Sequence, residues 1–186
     1  SMDGGDDEAR APYSASLNTP NAVTLAAWVK TTGTGRHAII ERFLSTSPYP
    51  GYALSIAPNY ITCGTAGVPS LWVGDNTNGY LCPSNTINDG KWHHIVGTYD
   101  GTTASIYIDG SLTGSGARSN GLNQTNEPLR LGEDYDTGSG AGCNCQIDEV
   151  RIYNRALSAA VVKTLYQSGS ARIKAANNTG LVGYWS

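Results

Sequence analysis

The stretch that decides the fold is Asn88-Asp89-Gly90-Lys91-Trp92-His93-His94-Ile95-Val96-Gly97-Thr98-Tyr99-Asp100-Gly101, followed by Ala104-Ser105-Ile106-Tyr107-Ile108-Asp109-Gly110. Two β-prone runs, His94 to Tyr99 and Ala104 to Ile108, flank Asp100-Gly101, whose residues accept positive φ at low steric cost, so the pair reads as a hairpin. Asp109-Gly110 is a second turn signal of the same kind. Further β-prone runs spread outward from this centre: Val23 to Val29, His37 to Phe43, Tyr52 to Ala57, Tyr60 to Cys63, Leu71 to Val73, Leu129 to Leu131 and Ile147 to Tyr153. Short spacing and turn residues between them predict an all-β, two-sheet antiparallel sandwich. No alternation of strand and helix is visible, which argues against a nucleotide-binding parallel sheet.

One helix interrupts the pattern. Ser158 can cap the run Ala159 to Ser168, with Val161, Val162, Leu165 and Tyr166 as an inward stripe and Gly169 closing it. Residues 171–179 are polar and read as a connector, and Gly180-Leu181-Val182-Gly183-Tyr184-Trp185-Ser186 returns to a strand pattern. Ser1-Met2 reads as a residue of cloning before an internal start point, which leaves 3–170 as the domain.

Composition narrows the function classes. With 12 Lys+Arg against 15 Asp+Glu the net charge is -3, which disfavours a protein that tracks nucleic-acid phosphates. Hydrophobic residues at 39% and charged residues at 15% fit a folded domain rather than a disordered chain. Eleven Tyr and four Trp beside one Phe shift the aromatics toward rings with polar edges, as sheets with wet faces and sugar-facing surfaces use. No run approaches the roughly 18 apolar residues of a membrane span, and no secretion signal stands at the start.

Four cysteines allow three pairings, and an even count in this Gly/Ser/Thr/Asn-rich chain suggests an oxidising compartment. Cys63 with Cys82 is the preferred pair, since these residues flank an excursion from Gly64 to Leu81. Cys143 and Cys145 can bond only through a tight ring. Zinc is the competing reading, but the Cys143-Asn144-Cys145 spacing and the separation from His37, His93 and His94 do not match structural zinc sites.

The segments from Asn88 to Gly101 and from Ile147 to Ser158 resemble the laminin-G-like jelly rolls of the concanavalin-A-like lectin/glucanase superfamily. Ile106 to Gly110 resembles that family's YVDG hairpin, and Thr24-Leu25-Ala26-Ala27-Trp28-Val29-Lys30 its early FTVSAWVK strand. The resemblance implies a jelly roll with one short helix near residues 158–168, from a secreted or surface-displayed, multidomain and bacterial protein. Family members often open with GLVGYWSFDE, which is missing before Asp3 and similar to Gly180 to Ser186. The expectation is that Leu181 to Trp185 fills the vacated slot, in cis or in a neighbouring molecule, giving a permuted domain or a head-to-tail chain of exchanged strands.

The resemblance also implies a structural calcium ion, with Asp148 before the Val-Arg-Ile-Tyr strand as first ligand and Asp3 and Asp6 of Asp3-Gly4-Gly5-Asp6-Asp7-Glu8 approaching from the other terminus. Asp134 and Asp136 are an alternative acidic pair. The paired-carboxylate strand of the superfamily's glucanases is absent: Glu127, Glu133 and Glu149 stand in other contexts, which points to a non-catalytic domain. For sugar binding, the segment Leu71 to Tyr80 is richest, with Trp72 as a stacking ring and Asp75, Asn76 and Tyr80 around it; Tyr49, Tyr52 and Tyr135 are weaker candidates. The expected function is therefore recognition of a glycan, with a structural adhesion repeat binding a cell-surface protein as the alternative and a glycoside hydrolase as the least favoured.

Overall fold

The computed structural model describes residues 2–3, 9–44, 50–56, 63–74, 80–118, 121–122, 125–132 and 143–176, with 2–3 and 174–176 described in backbone alone. Its strands are β1 (Met2–Asp3), β2 (Ala9–Ala11), β3 (Val23–Lys30), β4 (His37–Phe43), β5 (Gly51–Ile56), β6 (Pro69–Val73), β7 (Trp92–Tyr99), β8 (Thr103–Ile108), β9 (Ser111–Ala117), β10 (Leu129–Leu131) and β11 (Asn144–Tyr153). They form a six-stranded sheet in the order β1-β11-β3-β7-β8-β9 and a five-stranded sheet in the order β2-β10-β4-β5-β6. Every pairing is antiparallel, as the hairpin-rich sequence predicts. The core lies between the sheets, where Leu25, Val29, Ile95 and Ile106 of one meet Ile40, Leu54, Ile56 and Leu71 of the other.

Both turn readings hold. Asp100 Oδ1 accepts from the backbone N–H groups of Thr102 and Thr103 at 2.9 and 2.7 Å, tying the β7–β8 loop to itself. Asp109 and Gly110 take φ of 51° and 77°, the left-handed pair that a tight hairpin needs to match strand twist. The strand β9 that follows was not assigned from sequence, because Ser111-Leu112-Thr113-Gly114-Ser115-Gly116-Ala117 has little apolar content; its register with β8 holds it at the sheet edge. The short β1 and β2 were likewise not assigned. The run expected from Tyr60 lies at residues outside those described, up to Cys63.

Disulfides join Cys63 to Cys82 and Cys143 to Cys145. The second sits where β11 begins, three residues earlier than the sequence suggests, and both its sulfurs belong to buried residues of the main core.

The helix departs from expectation. Helix α1 (Ala159–Ala176) starts after Ser158, whose carbonyl accepts from Val162 N–H at 3.0 Å, but it runs through Gly169 rather than ending there. Residues 171–176, read as connector, are its last turns. Gly169 is buried against Trp28, and a β-carbon there would collide with the indole nitrogen, so this glycine serves close approach and not chain termination. Val162 is fully buried with Ala26, Val96 and Tyr107, whereas Val161, expected to face inward, is exposed.

Candidate functional site

The five-stranded sheet buries its second face as well as its core face. Along β4, β5 and β6 every residue is buried, including those that alternate away from Ile40, Leu54 and Leu71. The register aligns Arg130 with Glu41, Glu41 with Ala53, and Ala53 with Trp72, so these four residues form one row across the outer side. Glu41 is wholly buried and meets Arg36 Nη2 at 3.1 Å; Arg130 Nη2 meets Glu127 Oε2 at 3.1 Å.

Beyond the charges the row becomes aromatic and hydroxylic. Phe43, Ala53 and Trp72 pack together, with the half-buried Tyr80 tilted over Trp72 at a centroid distance of 5.1 Å. Reciprocal backbone bonds between Leu71 and Leu81, at 3.0 and 2.9 Å, bring Tyr80 to that position. Tyr80 also packs on Cys63, Val68 and Cys82, so the disulfide fixes the far side of the ring. One register step away, Ser70 Oγ donates to the carbonyl of Ser55 at 3.4 Å. Ser55 Oγ and Trp72 Nε1 are buried and find no hydrogen-bond partner among the described residues. An unpaired buried polar group costs about 1–3 kcal/mol, so two of them on one face are a place where an incoming hydroxyl would be favoured.

Trp72, the expected stacking ring, lies against Tyr80. The ring is 6% exposed and covered by Tyr80, so it is not an open stacking platform; Tyr80 is the outer ring of the pair. Asp75 and Asn76 lie outside the described residues, as do Tyr49 and Tyr135. Tyr52 is buried at the opposite end of β5, where its hydroxyl donates to the Leu17 carbonyl at 3.2 Å, a packing role. Ser55 and Glu41 were not singled out from sequence, although a serine and a Glu41-Arg42 pair inside otherwise apolar strands were the available signal.

The proposed metal ligands do not converge among the described residues. Asp148 is exposed and turns Oδ1 onto the N–H of Glu149 at 2.7 Å. The β1–β11 register sets Asp3 opposite Asn144, four positions from Asp148 and so roughly 13 Å along the strand. Asp6, Asp134 and Asp136 lie outside the described residues, and within them no group of three His, Cys, Asp or Glu could hold a metal ion. The described residues therefore do not form the oxygen cradle that calcium requires.

Glu149 and the two adjacent histidines have other work. Glu149, in the left-handed region at φ 51° beside a register shift of β11, pairs with Arg151 and with Arg172 of α1, the latter at 2.6 Å. His93 Nδ1 lies 2.8 Å from Asp109 Oδ2 and its Nε2 lies 3.1 Å from Asp89 Oδ1; the two carboxylates, Asp109 first, raise its pKa. His94 lies tilted to Trp28 at 5.3 Å and stacked with Tyr166 at 6.3 Å, and burial lowers its pKa to about 4.

A laminin-G family model, described as Concanavalin A-like lectin/glucanases superfamily, matches residues 3–163. The chain belongs to that family. No curated protein sequence matches this laminin-G-like chain. Among solved structures, the binding domain of Paraclostridial Mosquitocidal Protein 1 aligns with a TM-score of 0.68 and 16% identity, over 90% of this chain and 43% of that one. A heptameric SAP-like pentraxin from Limulus polyphemus aligns at 0.64 and 15% identity, over 89% of this chain and 80% of its own. A Trypanosoma rangeli sialidase, solved with a difluorinated sugar acid, aligns at 0.63 and 19% identity over 90% of this chain and 27% of its own. The laminin-G-like chain thus spans less than half of the toxin domain and about a quarter of the sialidase, and at these identities the likeness is one of fold.

Proposed function

We propose that this laminin-G-like domain is a non-catalytic recognition module of a secreted or surface-displayed protein and that its ligand is a carbohydrate. One observation carries the reading: Ser55 Oγ and Trp72 Nε1 are buried on the same outer face, beside the Tyr80 ring, without partners among the described residues. Aromatic edges with unmet hydrogen-bonding capacity suit a sugar, whose apolar faces stack and whose hydroxyls both donate and accept. Asp75 and Asn76 follow β6 in sequence after Gly74 and are the polar residues proposed for the same ligand. The toxin binding domain and the pentraxin add support at the level of architecture, and two disulfides suit an oxidising compartment. No helix among the described residues is long and apolar enough to cross a membrane.

The test is a glycan array with the wild type, Tyr80→Ala, Ser55→Ala and Trp72→Ala, each with calcium and again with EDTA. Tyr80→Ala and Ser55→Ala are expected to weaken binding on the order of tenfold while the domain stays folded, about 1.4 kcal/mol of contact energy. Loss on chelation would add calcium to the site. An array blank for the folded wild type in both conditions would replace the lectin reading with a structural adhesion repeat.

A further inference from the structure

Two adjacent side chains where the β3–β4 loop meets β4 grip opposite faces of the five-stranded sheet. Arg36 turns outward, where its Nη2 lies 3.1 Å from Oε1 of the buried Glu41. His37 turns inward: it pairs with the core residue Ile56 of β5 and is 7% exposed. Its ring is the floor of the loop. A β-carbon on Gly33 would stand 2.2 Å from His37 Nε2, and one on Gly35 3.8 Å from Cε1, so only glycine at 33 lets the chain cross the imidazole this closely. The other ties on this stretch are few. Gly33 N–H donates to Thr31 Oγ1 at 2.8 Å, and Asn88 Nδ2 donates to the Gly33 carbonyl at 3.5 Å, a long hydrogen bond. Thr32, Thr34 and Gly35 are exposed.

Both ring nitrogens of His37 are shielded from water, and neither finds a hydrogen-bond partner among the described residues. A neutral imidazole hides one donor and one acceptor in this way, whereas an imidazolium would hide two donors and a charge. The groups around the loop do not compensate that charge. Thr31 Oγ1 donates to the Asn144 carbonyl at 2.8 Å, and Lys30 alternates with Trp28 to the α1 side. Asp89, next to Asn88, is taken by Lys91 and His93 at 2.9 and 3.1 Å, and Arg36 and Glu41 close on each other across the sheet. Burial alone holds the His37 pKa below its ordinary 6.5.

We propose that His37 is an acid-operated latch: when its ring takes up a proton, residues 32–36 lift from it and Arg36 withdraws from Glu41. Residues 36 and 37 share a peptide unit, so a loop leaving the ring carries Arg36 with it. The neutral ring's contribution is complete above about pH 6.5 and is lost as pH falls through the folded pKa, so the loop is shut at neutral pH and opens in acid. The latch needs no sugar and stands without the carbohydrate reading.

The test is an NMR titration of the intact wild type from neutral pH into acid, following the His37 ring, the backbone amides of residues 32–36 and the Arg36 side-chain N–H signals. His37 is expected to titrate below 6.5, with the loop amides shifting at the same midpoint. Each unit by which that midpoint falls short of 6.5 is about a tenfold rise in the open population from neutral pH to acid, and Arg36 N–H protection should fall by the same factor. His37→Phe, which keeps a ring but cannot titrate, should leave the loop and Arg36 signals flat with pH. A His37 midpoint at 6.5 with the loop amides unmoved would overturn the proposal, as would loop amides following a midpoint that is not His37's. A pH response kept by His37→Phe would also overturn it, assigning the opening to a carboxylate such as Glu41. If that variant fails to fold, the wild-type midpoints decide alone. None of these results bears on Tyr80 or Ser55, so the latch and the lectin reading fail separately.

Discussion

On the outer side of the six-stranded sheet, Trp28 and His94 lie beneath Tyr166 and Gly169 of α1, and Val162 fits among Ala26, Val96 and Tyr107. On the outer side of the five-stranded sheet, burial is just as complete, but the residues are Glu41, Arg130, Ser55, Ser70 and Trp72. The first face is covered by shape, with ions confined to the Glu149 pin at the end of the helix. The second keeps charges and hydroxyls out of water, with Ser55 Oγ and Trp72 Nε1 unpartnered among the described residues. Burial of polar groups is expensive, so the contrast is between a face packed mainly by apolar and aromatic groups, with His94 among them, and one that holds an ionic and hydroxylic row.

The sharpest way to break that contrast is Glu41→Ala. If the outer row is as dry as its burial implies, removing the carboxylate breaks a buried ion pair with Arg36, and stability should fall by about 3–5 kcal/mol in denaturant melts. A loss below about 1 kcal/mol is what an exposed pair would give, and it would mean that water already reaches the row.

Gly169→Ala tests the other face, and here two principles give opposite signs. On propensity alone, alanine in a helix interior should stabilise by up to about 1 kcal/mol. The new β-carbon meets the Trp28 indole, however, and forcing apart a packed contact costs about 1–3 kcal/mol. We expect a net loss of about 1–2 kcal/mol in equilibrium unfolding. A gain would show that α1 slides over Trp28 without resistance.

The same glycine marks the limit of what the sequence discloses. Period-two strands and Asp-Gly turns are local signals, so β3, β4, β7, β8 and both hairpins are legible from residues alone. Gly169 is ambiguous because a helix-ending glycine and a close-packing glycine look identical until Trp28 is placed beneath it. The exposure of Trp72 is ambiguous for a related reason, since only the β6–Leu81 bridge shows that Tyr80 covers it. β9 is invisible because its pairing with β8, not its composition, makes it a strand. The outer row is hidden for the same cause, since Arg130, Glu41, Ala53 and Trp72 meet only through cross-strand register.

The smallest effect concerns two neighbours in sequence, His93 and His94, which leave opposite signatures with pH. His94 sits under the helix among Trp28 and Tyr166, with Asp109 pulling its pKa upward more weakly than burial pushes it down and Arg151 adding to the fall. Its folded value of about 4 lies below the ordinary 6.5, so its contribution is complete above about pH 6.5 and is lost as pH falls toward 4. His93, held between Asp109 and Asp89, has a raised value; its contribution is complete below about pH 6.5 and is lost as pH rises through the folded pKa. The two act in adjoining pH windows, so a melt shows a stability maximum near pH 6.5, and NMR titration of each imidazole reads them separately. Ring signals of His93 should move above pH 6.5 and those of His94 only well below it, with Asp109→Asn drawing the His93 midpoint down. If both rings titrate together near 6.5, the helix does not seal its face, and the difference between the two outer sides of the sandwich shrinks to one of residue type.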